Sequence, residues 1–253
     1  MAAADIAAEN PYAAFGRGVV ADAAPDERVA FVRKTYMHLA AAVYGLAAIL
    51  WVMFRTGFAE WFTRALGGTP YGMLLMLAGF IGASWIANRW AMDPTATVSK
   101  QYAGLWLYVF AQALFLAPML WFAQDMAVEY MPGQEVNVVG AAALTTLVLF
   151  AGLSAIPWLT GKDFSFLGAA LGIVGLGALA LIVASFIFPI NMGIWFSVAM
   201  IVFASAYILY DTSNVMHHYQ PGQHVAASLA LFASVALLFW YVLRLFMALS
   251  SRD

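Results

Sequence analysis

Seven stretches of apolar side chains, at 35–54, 71–91, 102–123, 136–158, 166–188, 191–217 and 224–249, alternate with short polar connections along this chain. Each is close to the about 20 residues that a helix needs to cross the hydrocarbon core of a bilayer. A helix also satisfies its own backbone groups where no water is available. The pattern therefore predicts an all-α membrane protein, a seven-helix transmembrane bundle over residues 31–253. The connections are too short to hold a soluble domain. Residues 1–30 are different: Ala-rich, with both charge signs and no apolar run, they are predicted to form a flexible tail outside the bilayer.

Composition strengthens this reading. Of the 253 residues, 64% are hydrophobic and only 9% charged, more apolar surface than a soluble core of this size can bury. The net charge of −2 is uninformative in a chain with so few charges, and no nucleic-acid partner is expected. Cysteine is absent, which excludes a disulfide framework, a thiolate metal site and a cysteine nucleophile. The Lys and Arg distribution sets an orientation. With the N-terminus inside, the cytoplasmic face carries Arg17, Arg28, Arg33, Lys34, Arg89, Lys100 and Lys162, and the outer face carries Arg55, Arg64, Arg244 and Arg252. This predicts a cytoplasmic N-terminus and a C-terminus on the outer face.

One acid breaks the apolar pattern. Asp211 stands in Tyr207-Ile208-Leu209-Tyr210-Asp211-Thr212, inside the sixth stretch. Ionisable groups at membrane depth are costly and mark ion paths, proton relays or buried pairs. Counting outward from the turn Gln220-Pro221-Gly222-Gln223, at about 1.5 Å per residue, places Ser234 of the seventh stretch at a similar depth. Arg89, at the cytoplasmic end of the second stretch, either snorkels and pairs locally with Asp93 or reaches inward as a counter-charge to Asp211.

Other residues have plainer explanations. His217, His218 and His224 group beside the last turn, where they are candidates for pH sensing, because histidine titrates near neutrality. Their spacing fixes no metal site, and His38 lies apart in the first stretch as an interfacial side chain. Gly152-Leu153-Ser154-Ala155 superficially resembles a membrane-protease serine motif, but a serine nucleophile needs a base within reach and the fourth stretch offers none. Gly161 is expected to end the fourth helix, with Asp163 or Ser165 capping the fifth. The glycines at 168, 172, 175 and 177 are expected to let neighbouring helices approach. No lysine lies inside the last stretch, which excludes a retinal Schiff base, and no inverted repeat is visible. Neither a cofactor nor an enzymatic activity is expected.

Three segments together resemble the Bax inhibitor-1/YccA family of seven-helix membrane proteins: Phe31-Val32-Arg33-Lys34-Thr35-Tyr36, Thr160-Gly161-Lys162-Asp163-Phe164-Ser165-Phe166-Leu167-Gly168, and Ile208-Leu209-Tyr210-Asp211-Thr212. The resemblance implies a bundle whose seventh helix is surrounded by the other six. It also implies a pH-sensitive cation or calcium leak gated around two aspartates, one on helix six and one on helix seven. Asp211 matches the first, but Ser234 stands at the second. A serine hydroxyl can hydrogen-bond Asp211 without supplying a second negative charge. That departure resembles the bacterial YccA-like branch, which implies a bacterial inner membrane with the C-terminus periplasmic, and a further partner: an FtsH-type membrane protease, engaged through the cytoplasmic tail at 1–30, with the chain as slow substrate and modulator.

Overall fold

The computed structural model describes residues 18–69, 71–93, 95–124, 127–131, 134–188 and 192–250. Eight α-helices form a bundle: α1 (Pro25–Arg55), α2 (Phe58–Gly67), α3 (Gly72–Met92), α4 (Val98–Ala123), α5 (Val138–Thr160), α6 (Leu167–Ile187), α7 (Gly193–His217) and α8 (His224–Ser250). A two-stranded antiparallel hairpin, β1 (Ala127–Met131) and β2 (Gln134–Asn137), joins α4 to α5. Six of the described helices are long and apolar enough to cross a membrane, and α2 with α3, bent by 116°, brings the count to seven if they form one span. The seven predicted stretches fall on α1 and on α3 to α8.

Two elements depart from the expected pattern. The ten-residue α2 was hidden in a predicted connection because it is too short to span. Its Glu60 and Arg64 pair at 2.6 Å on one exposed face, while Ala59 and Thr63 are buried on the other. The N-terminal segment predicted as a free tail over 1–30 is held in place from Val20 onward. Val20 is fully buried, and its N–H donates to the Tyr219 carbonyl in the α7–α8 turn at 2.8 Å. Pro25 then opens α1 at a position where its missing N–H costs nothing, and Asp26 and Glu27 complement the positive end of the helix dipole. The first 17 residues lie outside the described ones.

The core is organised around α8, which packs against α1, α3, α4, α5 and α7. Two-thirds of its apolar window is buried (67%), against 6% for α6, which lies at the periphery on α7. In lipid, where tails are as apolar as leucine, such burial reflects close packing rather than escape from water. Small residues permit that packing. A Cβ on Gly104 of α4 would meet the Ala87 carbonyl of α3 at 2.6 Å, and one on Gly168 of α6 would meet the Tyr210 ring of α7 at 2.9 Å. Gly175 similarly faces Phe203, whereas Gly172 and Gly177 have open space and do not serve the close approach expected of them.

Candidate functional site

The α7–α8 hairpin places its polar groups at one level. Six residues separate the two helices, and Asp211, six residues before the end of α7, and Ser234, ten residues into α8, meet across the hairpin. Asp211 is 6% exposed and Ser234 4%. The Ser234 hydroxyl donates to Oδ2 of Asp211. One turn of polar side chains continues toward the helix end: Thr212 and Ser213 are fully buried, and Thr212 donates to the Ser154 hydroxyl of α5 at 3.3 Å. Ser154 is thus a packing contact of α7, with a hydroxyl rather than a base as its neighbour.

No described residue forms an ion pair with Asp211. Arg89 does not supply the counter-charge: it is exposed, with its guanidinium 5.5 Å from the centre of the Trp85 ring. A long cationic side chain at a helix end extends toward the interface, where an aromatic face and water both stabilise it. Nor does Arg89 pair with Asp93, which accepts from the Thr95 backbone at 2.9 Å and lies 3.6 Å from Lys100.

Two cavities are lined by sequence neighbours of the Asp211–Ser234 pair. One, of about 330 Å³ at the α7–α8 turn, is lined by Ser165, Tyr210, Asn214, His218 and Tyr219. The other, also about 330 Å³, runs from Arg244 inward to Tyr108, Gln112 and Ala233. Residues adjacent to the pair in sequence line both, yet neither Asp211 nor Ser234 lines either. Tyr219, in the turn, has its hydroxyl held well above the ordinary tyrosine range, by burial first and then by the charges of Asp211 and Tyr210.

The histidines separate into two groups, not the one expected. His224, 1% exposed, leaves the turn cluster and faces His38 of α1, with ring centres 5.0 Å apart. His38 in turn contacts the Tyr102 hydroxyl of α4 through Nε2 at 2.7 Å, so this group ties α1, α4 and α8 together. His217 and His218 stay near the turn, His217 with Nδ1 2.9 Å from the Ser213 carbonyl of its own helix. Sequence spacing could not reveal the His38–His224 contact, since helix packing rather than local geometry creates it. Among the described residues, no three His, Asp or Glu side chains converge in a way that could hold a metal ion.

Comparison with known proteins places this bundle in a family. The family model described as "Inhibitor of apoptosis-promoting Bax1" matches residues 28–252. The chain belongs to the Bax inhibitor-1 family. It is 26% identical over 239 residues to Bax inhibitor 1 of Schizosaccharomyces pombe, covering 92% of this chain and 82% of that one. It is 27% identical over 232 residues to Protein LIFEGUARD 4 of Arabidopsis thaliana, covering 88% and 87%. An uncharacterized protein of Campylobacter jejuni is 34% identical over 149 residues, 57% of this chain and 60% of the relative.

Among the segments that resemble this family, the α5–α6 connection performs more than the capping expected of it. Gly161, at φ 63°, ends α5 as predicted, its N–H donating to the Pro157 carbonyl at 2.8 Å. The N-cap of α6, however, is Phe166, without a side-chain cap. Asp163 instead accepts from the Ser165 N–H at 2.8 Å and the Ser213 hydroxyl at 3.1 Å, with His218 Nε2 at 2.8 Å. Ser213 also accepts from the Phe164 N–H at 2.8 Å. The connection is thereby fastened to α7 two residues after Asp211. The Ser165 N–H, ahead of His218, the Ser165 hydroxyl and Ser213, holds the Asp163 carboxyl well below the usual carboxylate range.

Proposed function

We propose that this Bax inhibitor-1 family member is a multi-pass, non-enzymatic protein of a bacterial inner membrane, with its N-terminus cytoplasmic. In this reading it conducts a pH-sensitive leak of cations, protons or calcium, and Asp211 is the gate. One observation carries the reading: a buried acid with no cationic partner among the described residues sits on the central hairpin, hydrogen-bonded to Ser234 of the last helix. Ion passage requires a path to open at Asp211, and a change in carboxylate protonation changes both its charge and its hydrogen bond to Ser234. His218 lines the turn-side cavity and His217 lies nearby, so they are the secondary candidates for pH sensing. Purified protein in liposomes, assayed for cation flux from about pH 3 to about pH 8, a range that spans ordinary Asp and His titration, should show a pH-dependent leak. Asp211→Asn keeps the shape and the Ser234 contact but removes the titration, and should flatten that profile. An unchanged profile removes Asp211 from the mechanism.

A second reading is favoured by Ser234, which leaves the site with one acid instead of two. Here the chain is a modulator and slow substrate of an FtsH-type protease. Val20 is pinned to the α7–α8 turn, so only the residues before it are left to engage such a partner. Deleting residues 1–17 should abolish co-purification with the protease, and retained binding would exclude the tail as the point of engagement.

A further inference from the structure

The crevice on the Arg244 side has a chemistry that ion conduction does not use. Its walls are apolar, built by Met76, Leu77 and Phe80 of α3, Phe115 of α4, Leu179 of α6 and Trp240 of α8. A hydrated ion gains nothing from such walls, whereas an acyl chain does. The helices α3 and α6 flank the crevice without packing closely on one another, so it opens sideways toward lipid.

Arg244 supplies the polar end. It is half-buried on the central helix, with its guanidinium 5.7 Å from the centre of the Phe196 ring. No described residue forms an ion pair with it. Among the described residues no acceptor pairs with this half-buried guanidinium beside an apolar cavity, and a planar carboxylate matches its fork. From Arg244 inward to Ala233, α8 covers about 16 Å at roughly 1.5 Å per residue. The inner end meets Tyr108 and Gln112.

We propose that this crevice binds a single-chain fatty acid, with its carboxylate on Arg244 and its chain lying along α8 toward Tyr108. The volume of about 330 Å³ is near the lower limit for ligand cavities, about 300 Å³, and suits one chain rather than the two of a phospholipid. The larger crevice against α1 and α5, of about 530 Å³, is lined by no charged side chain and lacks this selectivity for an acid. The site stands on the cavity and Arg244 and does not require that the protein conduct ions.

Photolabelling tests it. Protein in phosphatidylcholine nanodiscs is titrated with myristic acid carrying a diazirine near its methyl end, and labelled peptides are located by mass spectrometry. Saturable labelling of the α3, α4 and α8 walls is expected, competed by unlabelled myristate. Arg244→Gln should weaken half-saturation by at least about tenfold, the loss expected of one charge-assisted pair, while Arg244→Lys retains most of the affinity. Met76→Trp, which fills the crevice and leaves Arg244 in place, should also suppress labelling and provides an independent test if the Arg244→Gln protein fails to fold. Equal labelling by the matching diazirine alcohol overturns the proposal, as does labelling that neither Arg244→Gln nor Met76→Trp alters. Competition by phosphatidylglycerol but not by myristate assigns the crevice to a phospholipid and overturns it as well.

Discussion

Ser234→Asp should raise calcium flux by at least about tenfold at alkaline pH, because affinity for calcium follows the number of charged oxygen ligands. The Ser234 hydroxyl already contacts Oδ2 of Asp211, so an aspartate here brings two carboxylates within hydrogen-bonding reach. At that separation they titrate as one coupled unit and share a proton. As pH rises the shared proton is released, and the site gains the second charge that a divalent ion needs. As pH falls the pair is neutralised, and the gain disappears. The sign is therefore fixed: flux increases with pH in the variant, more steeply than in wild type. Calcium-indicator flux in liposomes measures it, with Ser234→Asn as the neutral control of similar size. If the aspartate and asparagine variants give the same calcium flux at every pH, position 234 does not sit on a cation path, and the leak reading loses its geometric basis.

What sequence could reveal about this site follows from how each contact is made. The meeting of Asp211 and Ser234 was legible because a short turn and a constant helical rise fix relative depth. The spans were legible because lipid imposes a long apolar requirement that few segments satisfy by chance. The position of α8 at the centre came from family resemblance, since all seven stretches are similarly apolar and hydropathy cannot rank them by burial. The failures share a cause. His38 meets His224, and Arg89 turns to Trp85 rather than Asp211, because helix rotation and side-chain direction in the packed bundle decide both. Arg244 entered the sequence reading only as one charge in an orientation count; its crevice is made by four helices and has no local signature. Asp163 was read as a helix cap because its spacing fits one, yet besides its local bond from the Ser165 N–H it reaches across to Ser213 of α7 and to His218 just past that helix.

Leu238→Ala should destabilise the bundle by about 1–3 kcal/mol, and Leu176→Ala by less than about 0.5 kcal/mol. Both residues lie in apolar helices, and their hydropathy is the same. Leu238 is 0% exposed on α8 and packs with Leu116, Ile208 and Val242, while Leu176 on α6 is 71% exposed to the surroundings of the bundle. In a soluble core, Leu→Ala costs about 3–5 kcal/mol, of which about 2 kcal/mol is transfer of the side chain out of water. In a bilayer that transfer term largely vanishes, since the separated helices are already in an apolar solvent. The cost of the void remains, and it falls only where protein rather than lipid surrounds the missing atoms. Unfolding in mixed micelles by a graded denaturing detergent measures the difference. Equal losses for the two variants would show that α8 is not the packing centre. Unequal losses of the expected size would also bear on the gate, because Leu238 lies one turn from Ser234 on the same helix, and the packing that holds Leu238 holds Ser234 against Asp211.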